Sequence, residues 1–222
     1  MSKKGFIFDL DGVIVDTAKY HYLAWKKLAN HLGFEFTAAQ NELFKGVSRK
    51  RCLEILLDIG KIDASQEQFD RWMIEKNIDY LKYIENMDES EILPDVPKIL
   101  NYLRENNFPI ALGSASKNAQ PILGKVGLSS YFDFIVDGNN VTKAKPNPEV
   151  FLLAAEQLNV SVSDCIVFED AVAGVAAANS ANMISIGIGD KKVLSEAQFN
   201  FNDFTEISID FIEELINSEN RK

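Results

Sequence analysis

The apolar positions of this chain follow two periods in turn. Phe6, Ile7 and Phe8, after Gly5, form an unbroken apolar run of high β-propensity, the pattern of a strand buried on both faces. The spacing then becomes helical. Tyr22, Trp25, Leu28, Ala29 and Leu32 share one face of a helix expected over 18–32, capped by Asp16 or Thr17 and ended by Gly33. A second helical run covers 38–44, and Lys45-Gly46-Val47-Ser48-Arg49 interrupts it. Ser48 can cap a helix over 49–59. Ser65 can cap another over 66–84, with Phe69, Trp72, Met73, Lys76 and Tyr80 on one stripe. Residues 17–86 contain no strand pattern, and 87–94 reads as a polar connector beside Pro94 and Pro97.

Beyond the connector, strands and helices alternate. Helices are expected over 96–105, 118–126, 148–158, 171–181 and 207–216. Strands are expected over 110–114, 132–136, 165–168 and 183–187, and the tail 218–222 is expected to fray. Such alternation predicts a parallel sheet with right-handed crossovers. Residues 17–86 are then an insertion after the first strand. The expected division is a core of 1–16 and 87–222 with a helical unit of 17–86.

Polar residues end these strands abruptly. Asp9 and Asp11 break the first run, and their i, i+2 spacing points both side chains to one face of an extended chain. Gly12 lets the backbone turn there. Ser114-Ala115-Ser116 ends the second strand, Lys145-Pro146 lies in the loop after the third, and Glu169-Asp170 ends the fourth. In a parallel sheet these ends share the edge where open α/β sheets bind ligands. Each alone has a plainer reading. Asp9 and Asp11 could form a solvated turn, Ser114 or Glu169-Asp170 could cap helices, and Lys145 could be a loop charge. Together they point to a crevice holding four carboxylates, two hydroxyls and a lysine.

That set suits phosphoryl transfer. A carboxylate can accept a phosphoryl group as an acyl phosphate, and Asp9 at the strand terminus is the natural nucleophile. Asp11 can serve as general acid and base. Glu169 and Asp170 suit magnesium together with Asp9, while Ser114 and Lys145 suit phosphate oxygens. Arg49 can grip a phosphate in bidentate fashion or be a solvated charge at a helix start. Ser116-Lys117-Asn118 precede a helix N-terminus that attracts anions. His21 is a site candidate or a packing histidine, and His31 reads as surface. Gly187-Ile188-Gly189 lacks the remaining spacing of a dinucleotide loop.

Composition narrows the partners. The net charge of −10 over 222 residues argues against nonspecific nucleic-acid or anionic-membrane binding. Cys52 and Cys165 make neither a disulfide framework nor a zinc set, and read as packing residues in a reducing compartment. No apolar run is long enough to span a membrane, and the N-terminal run lacks a cleavage site. A soluble cytoplasmic protein is expected.

Asp9-Leu10-Asp11-Gly12-Val13, Ser114, Lys145-Pro146 and Glu169-Asp170, in that order along the core, resemble the four motifs of the haloacid dehalogenase superfamily. Asp11 resembles its phosphotransferase branch, and the insertion resembles that branch's cap. The resemblance implies an α/β fold, a Rossmann-like parallel-sheet core with a small helical cap domain inserted after the first strand. A narrower pattern resembles the β-phosphoglucomutase family: Asp16-Thr17-Ala18-Lys19-Tyr20-His21 with Trp25, Lys45-Gly46-Val47-Ser48-Arg49, Lys76-Asn77 and Ser114-Ala115-Ser116-Lys117-Asn118. This implies a phosphorylated hexose substrate, a phospho-Asp9 intermediate and Mg2+ as cofactor, held by Asp9, Asp11 (through its backbone carbonyl), Glu169 and Asp170. It implies Arg49, Ser116, Lys117 and Asn118 around a second phosphate. His21, Lys45, Gly46, Val47 and Lys76 would face the sugar or the Asp11 hinge, and Thr17, Trp25 and Ala115 would join them in binding substrate. It also implies a cis bond at Lys145–Pro146. Ala171 departs from the pattern, where serine is expected. A monomer is expected. The rivals are a sugar-phosphate phosphatase on the same scaffold and a non-catalytic phosphosugar-binding protein, which would not need Asp11.

Overall fold

The computed structural model describes residues 3–218. The tail expected to fray lies, from 219 onward, outside the described residues. Strand β1 (Gly5–Phe8) has every residue buried, as its unbroken apolar run requires. It is joined by β2 (Ile110–Gly113), β3 (Phe134–Val136), β4 (Cys165–Glu169), β5 (Ile184–Ile188) and β6 (Phe199–Phe201). All pairings are parallel, in the order β3-β2-β1-β4-β5-β6. The chain thus winds outward from β1 to β3, returns to β4 beside β1, and winds outward the other way. The reversal at β1 and β4 opens a crevice at their C-terminal ends.

Two cores cover the two faces of the sheet, and alternation along each strand sorts residues between them. Phe6, Phe8, Ile110, Leu112, Ile166 and Phe168 face α5 (Val96–Glu105), α6 (Ala119–Lys125) and α9 (Ile209–Asn217). Ile7, Ala111, Cys165 and Val167 face α7 (Glu149–Leu158) and α8 (Val172–Ser180). Phe8 stacks on Phe168 with centroids 4.5 Å apart. Each such buried aromatic contributes about 1.5–3 kcal/mol. Strand β1 is therefore anchored beside the crevice from both sides.

Between β1 and α5 the chain forms α1 (Ala18–His31), α2 (Ala38–Asn41), α3 (Arg49–Gly60) and α4 (Gln66–Ile84). These helices have a cluster of their own, in which Trp25, Leu28, Phe36, Leu53, Leu56 and Trp72 are buried. The Ser48 and Ser65 hydroxyls accept the Arg51 and Gln68 N–H groups, as the sequence pattern predicts. Thr17 occupies the N-cap position of α1 but makes no cap bond, because its hydroxyl donates to Asp11 instead.

Two strands differ from expectation. Strand β6 carries no strand prediction; it is a three-residue edge strand, too short for a periodic signal, held by Phe199 and Phe201 packing on Phe211. Strand β3 starts at Phe134 instead of 132. The Asp133 carboxylate accepts the Ile110 N–H at 2.9 Å, which occupies the position where the ladder would otherwise begin.

Candidate active site

Asp9 lies just past β1, yet its N–H still donates to the Phe168 carbonyl at 3.0 Å. The ladder therefore fixes its side chain at the crevice. Lys145 Nζ donates to Asp9 Oδ1 and to Glu169 Oε1, both at 2.6 Å, and all three side chains are nearly sealed from solvent. Burial works against the Lys145 charge, but Asp9 and Glu169 outweigh it and raise the lysine above its usual range. The Lys145–Pro146 bond is cis. Glu169 also accepts the Ala171 N–H at 2.7 Å. Gly174 leaves room for it: a Cβ there would lie 1.8 Å from Glu169 Oε1.

Asp11 faces the helical insert. Burial, then repulsion from Asp9, pushes its carboxyl up to about 6, against the pull of the Thr17 hydroxyl. His21 stands behind it, with Nε2 3.8 Å from Asp11 Oδ1 and Nδ1 2.9 Å from Lys76 Nζ. Burial, Lys76 and Arg49 hold His21 well below its usual pKa, so it is neutral. While Lys76 is an ammonium it only donates, so Nδ1 then accepts and Nε2 carries the proton toward Asp11. Lys76 is itself sealed between the rings of Trp25 and Tyr80, 4.7 Å from each centroid. Burial, then Arg49, lowers it to about 7.

Asp170 completes the carboxylate group. Burial, then Glu169 and Asp9, raise it well above its usual value. Gly12, at φ +81°, makes room for it, since a Cβ would stand 2.3 Å from Asp170 Oδ2. As the side chains stand, no three His, Cys, Asp or Glu residues among the described residues close on one point to hold a metal. Glu169 and Asp9 both grip Lys145 instead. The donor chemistry nevertheless fits a hard divalent cation. Asp9, Asp11 and Asp170 line one wall with oxygen donors only, and their mutual repulsion is what a cation relieves.

A cavity of about 390 Å³ lies between the strand ends and the helical insert. Asp9, Asp11, Ser114, Ala115, Ser116, Lys117, Lys145 and Asp170 line it from the sheet side, and His21, Trp25, Lys45, Gly46, Val47, Arg49 and Lys76 from the insert. Three expected site residues stand behind that wall. Thr17 is fully buried on Asp11. Glu169 is sealed behind Lys145. Asn118 donates to the Asn77 side chain at 3.1 Å, tying α4 of the insert to the segment before α6. Gly46, at φ +69°, forms a second contact, because a Cβ there would lie 2.6 Å from the Ala171 methyl.

Sequence reasoning missed several lining residues, among them Asn41, Phe44, Lys50, Cys52, Met73 and Lys143. Cys52 was read as packing, and it is buried. Its Sγ also donates to the carbonyls of Phe44 (3.7 Å) and Val47 (3.8 Å), on either side of the Lys45-Gly46 turn. Burial pushes that thiol up to about 12, so the donor proton stays. The available signal was position: Cys52 follows Arg49 by three residues, hence lies on the same helix face.

An open parallel sheet whose buried carboxylates and lysine gather at its switch point, under a helical insert, defines an α/β enzyme with a charged crevice at its strand ends. The model of the haloacid dehalogenase-like hydrolases matches residues 3–182, and the chain belongs to that family. It is 37% identical over 95% of its length to the β-phosphoglucomutase of Bacillus subtilis (strain 168), covering 94% of that protein. It superposes on the crystal structure of β-phosphoglucomutase from Clostridium difficile with a TM-score of 0.92 and 42% identity, over 97% of both chains. It is also 30% identical to the fructose-1-phosphate phosphatase YqaB of Escherichia coli (strain K12), over 83% of this chain and 95% of that protein.

Proposed function

We propose that this chain is a β-phosphoglucomutase, interconverting β-D-glucose 1-phosphate and glucose 6-phosphate through phospho-Asp9 and β-glucose 1,6-bisphosphate. The observation that carries the reading is the separation of cations in one cavity. Lys145 is beside Asp9, whereas Arg49 enters from the insert and makes no ion pair among the described residues. A mutase must hold a second phosphate while the first reacts, and a free guanidinium suits that grip. Lys50, Lys117 and Lys143 add local positive charge to the lining despite the net charge of −10.

In this reading residues 17–86 are the cap, and 1–16 with 87–222 the core. The C6 hydroxyl of glucose 1-phosphate attacks the phosphorus of phospho-Asp9, and its proton passes to Asp11. This yields the bisphosphate and free Asp9. After the bisphosphate turns around, Asp9 attacks the C1 phosphate and Asp11 returns the proton to the departing O1. Phospho-Asp9 is regenerated and glucose 6-phosphate leaves. A carboxyl raised to about 6 is near the value that serves both directions at neutral pH. Ser114 and Lys145 bind oxygens of the reacting phosphate, and Ser116 and Lys117 assist Arg49. Magnesium, held by Asp9, Asp11 and Asp170 with Glu169 behind them, would offset the repulsion between Asp9 and the phosphate. The Gly46–Ala171 and Asn77–Asn118 contacts support a closed cap that keeps water from phospho-Asp9. The enzyme acts as a cytoplasmic monomer.

The test is incubation with magnesium, β-glucose 1-phosphate and a trace of the bisphosphate, followed by separation of glucose 6-phosphate from inorganic phosphate. Glucose 6-phosphate as the main product supports the mutase. Inorganic phosphate as the main product sinks it and favours a sugar-phosphate phosphatase. That second reading has support in YqaB and in the phosphorylated carbohydrates phosphatase of Thermotoga maritima, 32% identical over 86% of this chain.

A further inference from the structure

Buried polar atoms without a partner are few in a folded protein, and each calls for a reason. Among the described residues four side-chain atoms are in that state: Asn41 Oδ1, Trp72 Nε1, Tyr80 OH and Asn200 Oδ1. Of these four residues only Asn41 lines the cavity. It ends α2 and is only 8% exposed. The wall that the insert gives to the cavity is apolar at Trp25, Phe44 and Met73 and cationic at Lys45, Arg49 and Lys76. Its other small neutral polar groups are committed: the Cys52 thiol to two carbonyls, the Ser48 hydroxyl to the Arg51 N–H. Asn41 is the carboxamide left over.

We propose that Asn41 reads a ring hydroxyl of the sugar phosphate. Its Oδ1 is sealed without a partner, whereas Nδ2 is not among the sealed unpartnered atoms and is the end that donates to a hydroxyl oxygen; the orphan acceptor is what the protein tolerates to keep that donor at the cavity. The proposal rests on the sugar-phosphate reading of the site and specifies what selects the sugar. The charged groups serve the phosphates, and between them a few neutral polar atoms in an apolar stretch orient the rest of a ligand. A donor that the ligand satisfies in a closed site favours the hydroxylated ligand over one lacking the hydroxyl, because the latter leaves the donor unpaired.

The physics separates this role from a structural one. Replacing a carboxamide whose buried acceptor has no partner by an apolar side chain of similar size is neutral or stabilising to the fold. Asn41→Leu should therefore melt at the same or a higher temperature than the wild type. Its kcat/KM for glucose 1-phosphate should fall roughly three- to tenfold, the weight of one neutral hydrogen bond. Glucose 6-phosphate should raise the melting temperature of the variant less than that of the wild type. Of the 2-, 3- and 4-deoxy analogues of glucose 6-phosphate, one should raise the two melting temperatures equally, because it lacks the hydroxyl that Asn41 reads. An unchanged kcat/KM and an unchanged glucose 6-phosphate shift overturn the proposal. So does a lower melting temperature with the same loss on every analogue, the mark of a structural residue. A wild type that glucose 6-phosphate stabilises, but that only releases inorganic phosphate, sinks the mutase reading; the shifts then still decide Asn41. A wild type that no sugar phosphate stabilises overturns both.

Discussion

Asp9 and Asp11 are two residues apart and do different work because their surroundings differ. Asp9 is locked to Lys145, whereas Asp11 is bonded to Thr17 and faces neutral His21. Asp9→Asn should abolish turnover and leave the circular dichroism spectrum unchanged, since an amide cannot form an acyl phosphate. Substantial mutase activity in the folded variant would falsify the assignment. Asp11→Ala should lower kcat by about 10²- to 10⁴-fold, the usual contribution of a general acid–base group. Its magnesium affinity, measured by titration calorimetry, should change little if only the backbone carbonyl of residue 11 meets the ion. Normal turnover with lost magnesium binding would reverse the roles. The identities of both acids were legible from their spacing. The contacts that set their protonation were not: Thr17 and His21 are near in sequence but reach Asp11 only through the path of the chain into α1, and Lys76 and Lys145 come from distant parts of the chain.

The Lys45-Gly46 turn is where α2 and α3 meet the core. Cys52 holds it from within the insert, and Ala171, ahead of α8, stops it from outside. Gly46→Ala would add a Cβ at a positive φ and 2.6 Å from the Ala171 methyl. Left-handed backbone alone costs a non-glycine residue about 1–2 kcal/mol. The variant should lose at least roughly tenfold in kcat/KM if closure is worth that much. Adding Ala171→Gly should restore part of it by removing the opposing methyl. Kinetics of the single and double variants check this, and no recovery in the double variant would mean that the turn does not limit closure. The departure of Ala171 from serine was visible in the sequence. Its contact with Gly46 was not, since 125 positions separate them in the numbering.

On the scale of the whole molecule, the function proposed here needs two anion sites contributed by different parts of the chain. Arg49→Ala should severely reduce kcat/KM for glucose 1-phosphate and reduce phosphorylation of Asp9 by acetyl phosphate much less, because acetyl phosphate has no second phosphate to grip. Charged hydrogen bonds are typically worth about 1.5–3 kcal/mol. Equal losses in the two assays would assign Arg49 to the fold or to the core site. Lys76 gives a pH signature of the same interface. It is lowered to about 7, chiefly by burial and then by Arg49, with Asp11 and Cys52 opposing. Between that value and the ordinary lysine range the unfolded chain binds more protons than the folded one, so stability due to this group rises with pH. Below about 7 both states are protonated and the cost of the buried charge is present in full. The melting temperature of the wild type should thus gain on that of Lys76→Met as pH rises from neutral toward the lysine range. A pH-independent difference would mean that Lys76 is not depressed.

The sequence by itself determined the parallel sheet, the helical insert and the polar strand ends, because these follow from local periodicity and from the abrupt end of apolar runs. It also marked Asp9, Asp11, Ser114, Lys145, Glu169 and Asp170 by type and order. The tertiary structure alone decided which of them reach the cavity. Glu169 and Thr17 are withdrawn behind Lys145 and Asp11, and Asn118 is turned to Asn77. It also brought in Asn41, which no local pattern distinguishes from a packing residue, and Cys52, whose one local signal is its place three residues after Arg49. Burial and unpaired hydrogen-bonding atoms are properties of assembled walls, and here each wall is built from segments far apart in the chain.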